Sequence, residues 1–145
     1  MKYPGYHGRS YAPCGETPSI KLHPRCERVN LISTVTNQGK VRFMVYDGKM
    51  NSQTLLQFMT RLIEGASKKI FLILDNLKGH HSRIVKAWLA DHEAEIEVFY
   101  LPSYSPGLNP DEYLNCDLKA GVHSKTPART KKQLKTKAIS HLRRL

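Results

Sequence analysis

The chain of 145 residues has the length of one ordinary domain. Hydrophobic residues make up 40% of it and charged residues 24%, which is atypical of a disordered chain, and no apolar run is long enough for a membrane span. An excess of 23 Lys and Arg over 12 Asp and Glu, a net charge of +11, favours a polyanionic partner.

The charges are distributed unevenly. Residues 1–49 carry eight basic and three acidic side chains, residues 50–118 carry six and nine, and residues 119–145 carry nine basic and no acidic ones. Acidic residues in the middle of a basic chain indicate carboxylates that hold a metal ion, next to cations that neutralise phosphates. The alternative is an acid-rich helix in a basic protein.

The first predicted elements form a hairpin. Residues 1–27 are rich in Pro, Gly and Tyr and show neither helical nor strand periodicity, so an irregular N-terminal segment is predicted. Arg28–Thr36 and Val41–Tyr46 are rich in β-branched and apolar residues, and Asn37–Lys40 between them supplies turn residues. Two antiparallel strands are therefore expected.

A helix and a buried strand follow. Asn51 or Ser52 can cap an amphipathic helix that ends at Gly65. Ile70–Leu74 is a run of five apolar residues that ends at Asp75, a pattern typical of a parallel strand buried on both faces.

A second helix and a second strand of this kind follow. Ser82 can cap a second helix, Ile96–Leu101 reads as another strand, and a final helix of this part starts near Pro110. This order of elements predicts an α/β layer fold with a mixed sheet and flanking helices.

The last 27 residues, 119–145, are predicted to begin with a loop around Gly121 and Pro127 and to end in a basic helix from about Thr130. Its cations can neutralise DNA phosphates, although a solvated basic helix would have the same composition. The candidate DNA-binding residues are Lys131, Lys132, Lys135, Lys137, Arg143 and Arg144.

Two carboxylates are candidates for chemistry. Asp75 stands at the carboxyl end of a predicted strand, where open α/β sheets bind ligands, although an Asp in this position also makes turns. Glu112 follows a proline-rich connection and can equally be part of a capping box with Asn109. The 36 residues between Asp75 and Glu112 allow one helix and one strand, which would return both side chains to the same end of the sheet.

These residues together resemble a known family. Asp75 and Asn76 are followed by His80 and Ser82, and LPSYSPGLNPDE spans Leu101–Glu112. The combination resembles the catalytic domain of bacterial insertion-sequence transposases of the mariner superfamily, and the resemblance extends upstream through GRSYAP at 8–13. It implies an RNase H-like fold and a DDE endonuclease that cuts and joins DNA with Mg²⁺ or Mn²⁺.

The resemblance also implies roles for single residues. Asp75 corresponds to the second catalytic Asp and metal ligand, and Glu112 to the final catalytic Glu and metal ligand. His80 would orient the site, unless it is a capping or core histidine, and Asn76 would hold Asp75 in place. Asp111 stands where the family usually has an apolar residue, and the sequence leaves open whether it faces a metal ion or solvent.

One feature of the family has no counterpart in this sequence. No Asp or Glu occurs before Glu16, so nothing matches the first catalytic Asp, and the first, central strand that carries it is expected to be missing. The sequence therefore predicts a truncated transposase, inactive alone, with residues 28–118 as an incomplete catalytic domain between segments 1–27 and 119–145. The alternative is a non-catalytic DNA-binding or interaction fragment that modulates intact transposase.

The resemblance and the sequence also predict the partners and the cellular compartment of the protein. The expected partners are transposon-end DNA and either intact transposase or a second copy of the chain. Cys14, Cys26 and Cys116 are too scattered for a disulfide framework, and the first 20 residues lack the apolar stretch of a secretory signal. A cytoplasmic, nucleoid-associated bacterial protein without membrane contact is therefore predicted.

Overall fold

The computed structural model describes residues 13–15, 28–102, 106–123, 128 and 130–145, so most of the segment 1–27 lies outside the described residues. Short 3-10 turns at Lys78–His81 and Pro106–Leu108 accompany the longer elements. These are β1 (Asn30–Val35), β2 (Val41–Tyr46), α1 (Ser52–Glu64), β3 (Ile70–Leu74), α2 (Arg83–Asp91), β4 (Ile96–Tyr100), α3 (Pro110–His123) and α4 (Lys131–Leu142).

The predicted hairpin is confirmed. β1 and β2 pair antiparallel, with Ser33 opposite Phe43. The turn closes through Gly39, which has a φ of +78° and donates its N–H to the carbonyl oxygen of Thr36 at 2.9 Å. A residue with a side chain would be strained at this φ, which explains the glycine.

α1 begins and ends where its sequence predicts. The Asn51 side chain accepts a hydrogen bond from the Thr54 N–H at 2.8 Å, and the helix is capped at its other end by Gly65. From β2, the Arg42 guanidinium donates to the carbonyl oxygens of Leu62 at 3.0 Å and Gly65 at 2.6 Å. The C-terminus of α1 is thereby tied to the hairpin.

β3 and β4 pair parallel, with Ile70 opposite Ile96, as predicted for a strand, helix, strand unit. The prediction that β3 is buried on both faces is wrong. Leu72 is 5% exposed, whereas Phe71 and Ile73 are 65% and 63% exposed. Side chains alternate along a strand, and α1 and α2 cover only the face that carries Leu72.

The described strands form two separate two-stranded sheets, β1–β2 and β3–β4. One hydrophobic core nevertheless joins them, because side chains of both sheets pack under α1 and α2. Its buried members are Met44, Leu55, Phe58, Met59, Leu62, Leu72, Val85 and Ile96.

A second core lies on the other face of the hairpin, between β1, β2 and the pair α3 and α4. Its buried members are Leu114, Leu118, Val122, Ala138 and Leu142. The loop predicted around Gly121 and Pro127 is wrong at Gly121, because α3 continues to His123 and Gly121 packs against the ring of His141 in α4. Pro127 lies outside the described residues. α4 begins where it was predicted to begin, and the Thr130 side chain caps it by accepting a hydrogen bond from the Gln133 N–H. Within the described residues, no helix is long and apolar enough to cross a bilayer.

Candidate active site at the carboxyl end of β3

Asp75 lies at the point where β3 ends. The backbone N–H of Leu101 donates to the carbonyl oxygen of Leu74 at 2.8 Å, so the chain leaving β4 runs beside the chain leaving β3. The connection that leads to α3 therefore starts next to Asp75. The Asp75 side chain is 47% exposed, which leaves its carboxylate open to a ligand.

His80 contacts Asp75 directly. Its Nδ1 lies 3.0 Å from the backbone carbonyl oxygen of Asp75 and 3.0 Å from the carboxylate Oδ1. Both neighbours are acceptors, so the geometry assigns the proton of the neutral ring to Nδ1. The His80 residue is 7% exposed, and the hydroxyl of Tyr100 donates to its carbonyl oxygen at 3.1 Å. The ring is therefore held in one place against the end of β3.

Asn76 contacts the second histidine of this turn. Its Oδ1 lies 2.6 Å from Nε2 of His81, and the His81 ring packs on the Tyr100 ring at a centroid distance of 4.1 Å. Burial raises the pKa of the Tyr100 hydroxyl. The turn after β3 is thus connected to β4 through an aromatic contact that the sequence analysis did not identify.

Glu112 is exposed in the first turn of α3. The side chain of Asn109 accepts a hydrogen bond from the Asp111 N–H at 3.0 Å, and its carbonyl oxygen accepts from the Glu112 N–H at 3.1 Å. Asn109 therefore acts as the cap that the sequence predicts.

Asp111, beside Glu112, is half-buried and hydrogen-bonded through both carboxylate oxygens. Oδ1 accepts from the Ser33 hydroxyl of β1 at 2.6 Å, and Oδ2 accepts from the Asn115 amide at 3.2 Å. Burial raises the pKa of Asp111, the negative charges of Glu112 and Asp75 raise it further, and the two hydrogen bonds act in the opposite direction. Asp75 is thus close enough to the start of α3 to influence a carboxyl group there.

The carboxylates of Asp75, after β3, and of Glu112, in α3, have the chemistry of magnesium ligands. Mg²⁺ prefers oxygen ligands, keeps several waters and is commonly held by one or two carboxylates. The exposed carboxylates of Asp75 and Glu112 supply such donors. Across the described ranges, no three His, Cys, Asp or Glu side chains are grouped as ligands of one ion.

The candidate DNA-binding residues lie on or just after α4. The Lys131 ammonium pairs with the Asp47 carboxylate at 2.7 Å, and this hydrogen bond together with the lysine charge lowers the pKa of Asp47. Ala138 and Leu142 of this helix are buried in the second core. Exposed cations remain at Lys131, Lys132, Lys135, Arg143 and Arg144, and Lys137 is half-buried.

Ser33 is a contact that the sequence analysis missed. The alternation of side chains in β1 could have indicated it, because the apolar residues Leu31 and Val35 lie on the same face as Ser33, packed against the second core. A lone hydroxyl between them needs a polar partner. The partner lies 78 positions away, which no local pattern reveals.

The comparisons with known proteins begin with a family match. The sequence model of the DDE superfamily endonucleases matches residues 2–135, nearly the whole chain. No curated protein matches the chain in sequence.

Solved structures resemble the chain in fold. A chain of the simian T-cell lymphotropic virus intasome, in complex with PP2A regulatory subunit B56 gamma, has a TM-score of 0.58 and 16% identity, over 77% of this chain and 41% of that one. The Mos1 transposase catalytic domain, with Raltegravir and Mg, has a TM-score of 0.54 and 15% identity, over 79% of this chain and 69% of that one. The predicted mixed α/β fold, similar to RNase H-like integrase and transposase catalytic domains, is confirmed.

Proposed function

Because this chain belongs to the DDE superfamily endonuclease family, we propose that it is of transposase type, and that it is inactive alone. The chemistry of this type is metal-dependent phosphoryl transfer that cuts DNA and transfers a strand. The observation that carries the proposal is the match of the DDE superfamily endonuclease model to residues 2–135, a range that includes both candidate acids. In the structure Asp75 is exposed where β3 ends, and Glu112 is exposed in the first turn of α3.

Each residue of the site has a defined task in this proposal. Asp75 and Glu112 would hold Mg²⁺ or Mn²⁺, which would supply activation of an attacking oxygen, from water or a DNA 3′ hydroxyl, and charge stabilisation of the leaving oxygen. His80 donates its Nδ1–H to Asp75 and fixes the direction of that carboxylate. Asn76 steadies the same turn through His81.

The partners are part of the proposal. The cations of α4 contact the phosphates of transposon-end DNA, and the chain assembles with intact transposase or with a second copy of itself. We assign it to an insertion-sequence element of a bacterium, where it acts on DNA of the nucleoid.

By itself the chain is proposed to be inactive in strand transfer. Two-metal phosphoryl transfer needs ions about 3.5–4 Å apart, which a shared carboxylate normally bridges. Residues 1–15 contain neither Asp nor Glu. Asp75 and Glu112 alone supply enough ligands to bind one metal ion weakly, but not two.

Calorimetric titration with MnCl₂ tests the metal site. We expect one ion to bind, with an affinity lowered at least tenfold in Asp75→Asn and in Glu112→Gln. Glu93→Gln, which removes an exposed acid after α2, is the matched control and should bind as the parent chain does. Equal affinity in all four proteins would refute the assignment of these two residues.

A second candidate function is DNA binding without catalysis, favoured by the exposed cations of α4. Each phosphate contact that is lost should reduce the slope of log affinity against log salt by about 0.9. The variant Lys132→Ala with Lys135→Ala should therefore flatten this slope, and Lys86→Ala on α2 should not.

A nicking assay on supercoiled DNA separates the two functions. Magnesium-dependent nicking that disappears in Asp75→Asn and Glu112→Gln would establish catalysis and overturn the proposed inactivity of the chain alone. Salt-sensitive binding without nicking, together with loss of manganese binding in the same variants, fits an incomplete catalytic domain. Salt-sensitive binding without any manganese binding favours the purely DNA-binding function.

A further inference from the structure

Asp111 connects the helix of the candidate site to the hairpin. Its Oδ1 accepts the Ser33 hydroxyl of β1 at 2.6 Å, and its Oδ2 accepts the Asn115 amide one turn further along α3 at 3.2 Å. Its backbone N–H donates to the Asn109 side chain at 3.0 Å. Three contacts thus fix this residue, and one of them crosses from helix to sheet.

The neighbouring Glu112 is exposed, and the backbone of the first helical turn sets the direction of its Cα–Cβ bond. Successive side chains of an α-helix point about 100° apart, because a turn has 3.6 residues. Fixing Asp111 against β1 therefore fixes the side of the helix from which Glu112 projects. The packing of Leu114 and Leu118 holds the axis of α3 but lies beyond this first turn.

Metal coordination by Asp111 itself is the competing role. Both of its carboxylate oxygens already accept hydrogen bonds, and the side chain is half-buried, in contrast to Glu112. These observations favour an indirect role.

We propose that Asp111 is a positioning residue, which holds the first turn of α3 on Ser33 of β1 and so directs the Glu112 carboxylate towards the ion that Glu112 shares with Asp75. The inference rests on the proposed metal-binding role of Glu112. It gives a function to Asp111, whose role the sequence left open, and it makes Ser33 a supporting residue of the site.

Manganese affinity, measured by electron paramagnetic resonance of the free ion, tests the proposal without requiring cleavage. Ser33→Ala should weaken binding about tenfold, the lower end of what supporting contacts of metal ligands contribute. Ser33→Thr keeps the hydroxyl and should bind within about twofold of the parent chain. Thermal unfolding of each variant, followed by circular dichroism, verifies that all are folded.

Two substitutions of Asp111 separate positioning from coordination. Asp111→Asn retains an oxygen for Ser33, and its amide can donate to Asn115 once the Asn115 side chain turns over, so affinity should stay within about threefold. Asp111→Leu removes both contacts and should weaken binding as much as Ser33→Ala. The double variant Ser33→Ala with Asp111→Leu should be no weaker than either single variant, because both remove the same contact.

The possible results are distinct. Unchanged affinity in Ser33→Ala, with binding still lost in Glu112→Gln, would overturn the positioning role and leave the proposed function intact. Equal loss in Asp111→Asn and Asp111→Leu would assign Asp111 as a ligand and overturn it as well. If the parent chain binds no manganese, or if Glu112→Gln does not change the manganese affinity, the proposed function and this inference are both refuted.

Discussion

The pKa of Asp111 depends on charges from two different elements. Burial raises it most, and the anions of Glu112 in α3 and Asp75 after β3 add to the rise. The hydrogen bond from Ser33 and that from Asn115 lower it. The pKa of Asp111 is therefore sensitive to how close the carboxylates of Asp75 and Glu112 lie to it.

We predict that Asp75→Asn lowers the pKa of Asp111, because it removes one of the negative charges that oppose ionisation. The pKa is measured by a ¹³C NMR titration of the carboxyl carbon in metal-free buffer. Asp117→Asn is the control, because that exposed acid pairs with His141 at 2.6 Å and is not among the charges that raise the pKa of Asp111. An Asp111 pKa that is the same in Asp75→Asn and the parent chain would place Asp75 away from α3.

Single-residue roles were only partly predictable. The sequence singled out Asp75, Glu112 and His80, and the structure brings His80 onto Asp75 at 3.0 Å. It left Asp111 undecided and did not identify Ser33. Local patterns identify residues at strand ends and helix starts, whereas the pairing of a strand hydroxyl with a helix carboxylate depends on how distant elements pack.

At the scale of elements, the ends of the helices follow from local chemistry. Asn51, with Ser52 as its alternative, and Ser82 were predicted as caps, and each of Asn51 and Ser82 accepts a hydrogen bond from a backbone N–H of its helix. Thr130, where α4 was predicted to begin, makes the same contact. Because an N-cap contact joins residues two or three positions apart, the sequence suffices to predict it. The end of α3 was predicted wrongly because a loop was expected around Gly121, whereas the close approach of His141 in α4 requires a glycine there within the helix.

Gly121→Ala should destabilise the protein, although Ala in a helix is ordinarily about 1 kcal/mol better than Gly. A Cβ atom at this position would overlap the ring of His141 in α4, and such overpacking costs about 1–3 kcal/mol. Urea unfolding measures the change in free energy. In the background His141→Ala the ring is absent, and the same substitution should become neutral or stabilising. Destabilisation of similar size in both backgrounds would show that helix packing is not the cause.

Arg42→Met tests the connection between the hairpin and α1. The substitution removes two hydrogen bonds from a charged donor to the carbonyl oxygens of Leu62 and Gly65, while it keeps most of the aliphatic side chain. We expect the free energy of unfolding to fall by about 1.5–3 kcal/mol in urea denaturation. Arg61→Met, at an exposed position in the last turn of α1, should cost much less. If Arg42→Met and Arg61→Met lower the free energy of unfolding equally, the loss of a positive charge, and not the loss of the two hydrogen bonds, is the cause.

At the scale of the whole molecule, the helices are distributed unevenly over the sheets. α1 and α2 cover one face of both sheets, and α3 and α4 cover the other face of the hairpin. The face of β3 and β4 that carries Phe71, Ile73 and Phe99 is exposed. Hydrophobicity alone predicted burial on both faces of β3, because five apolar residues in a row carry no information on which face is covered.

The two faces of β3 should therefore differ in their contribution to stability. Leu72→Ala removes a side chain from the core and should cost about 2–5 kcal/mol. Ile73→Thr, on the exposed face of the same strand, should change the free energy of unfolding by less than about 1 kcal/mol, since surface changes are usually small. A cost for Ile73→Thr that matches the cost for Leu72→Ala would show that the outer face is covered in solution.

The central claim is that the carboxylates of Asp75 and Glu112 meet at one divalent ion. Paramagnetic broadening of their ¹³C carboxyl signals by substoichiometric Mn²⁺ tests it most directly, because the effect falls steeply with distance from the ion. We predict that the signals of both residues broaden together at the same manganese concentration, while that of Glu93 stays sharp. Broadening of only one of the two, or of neither, would contradict the claim.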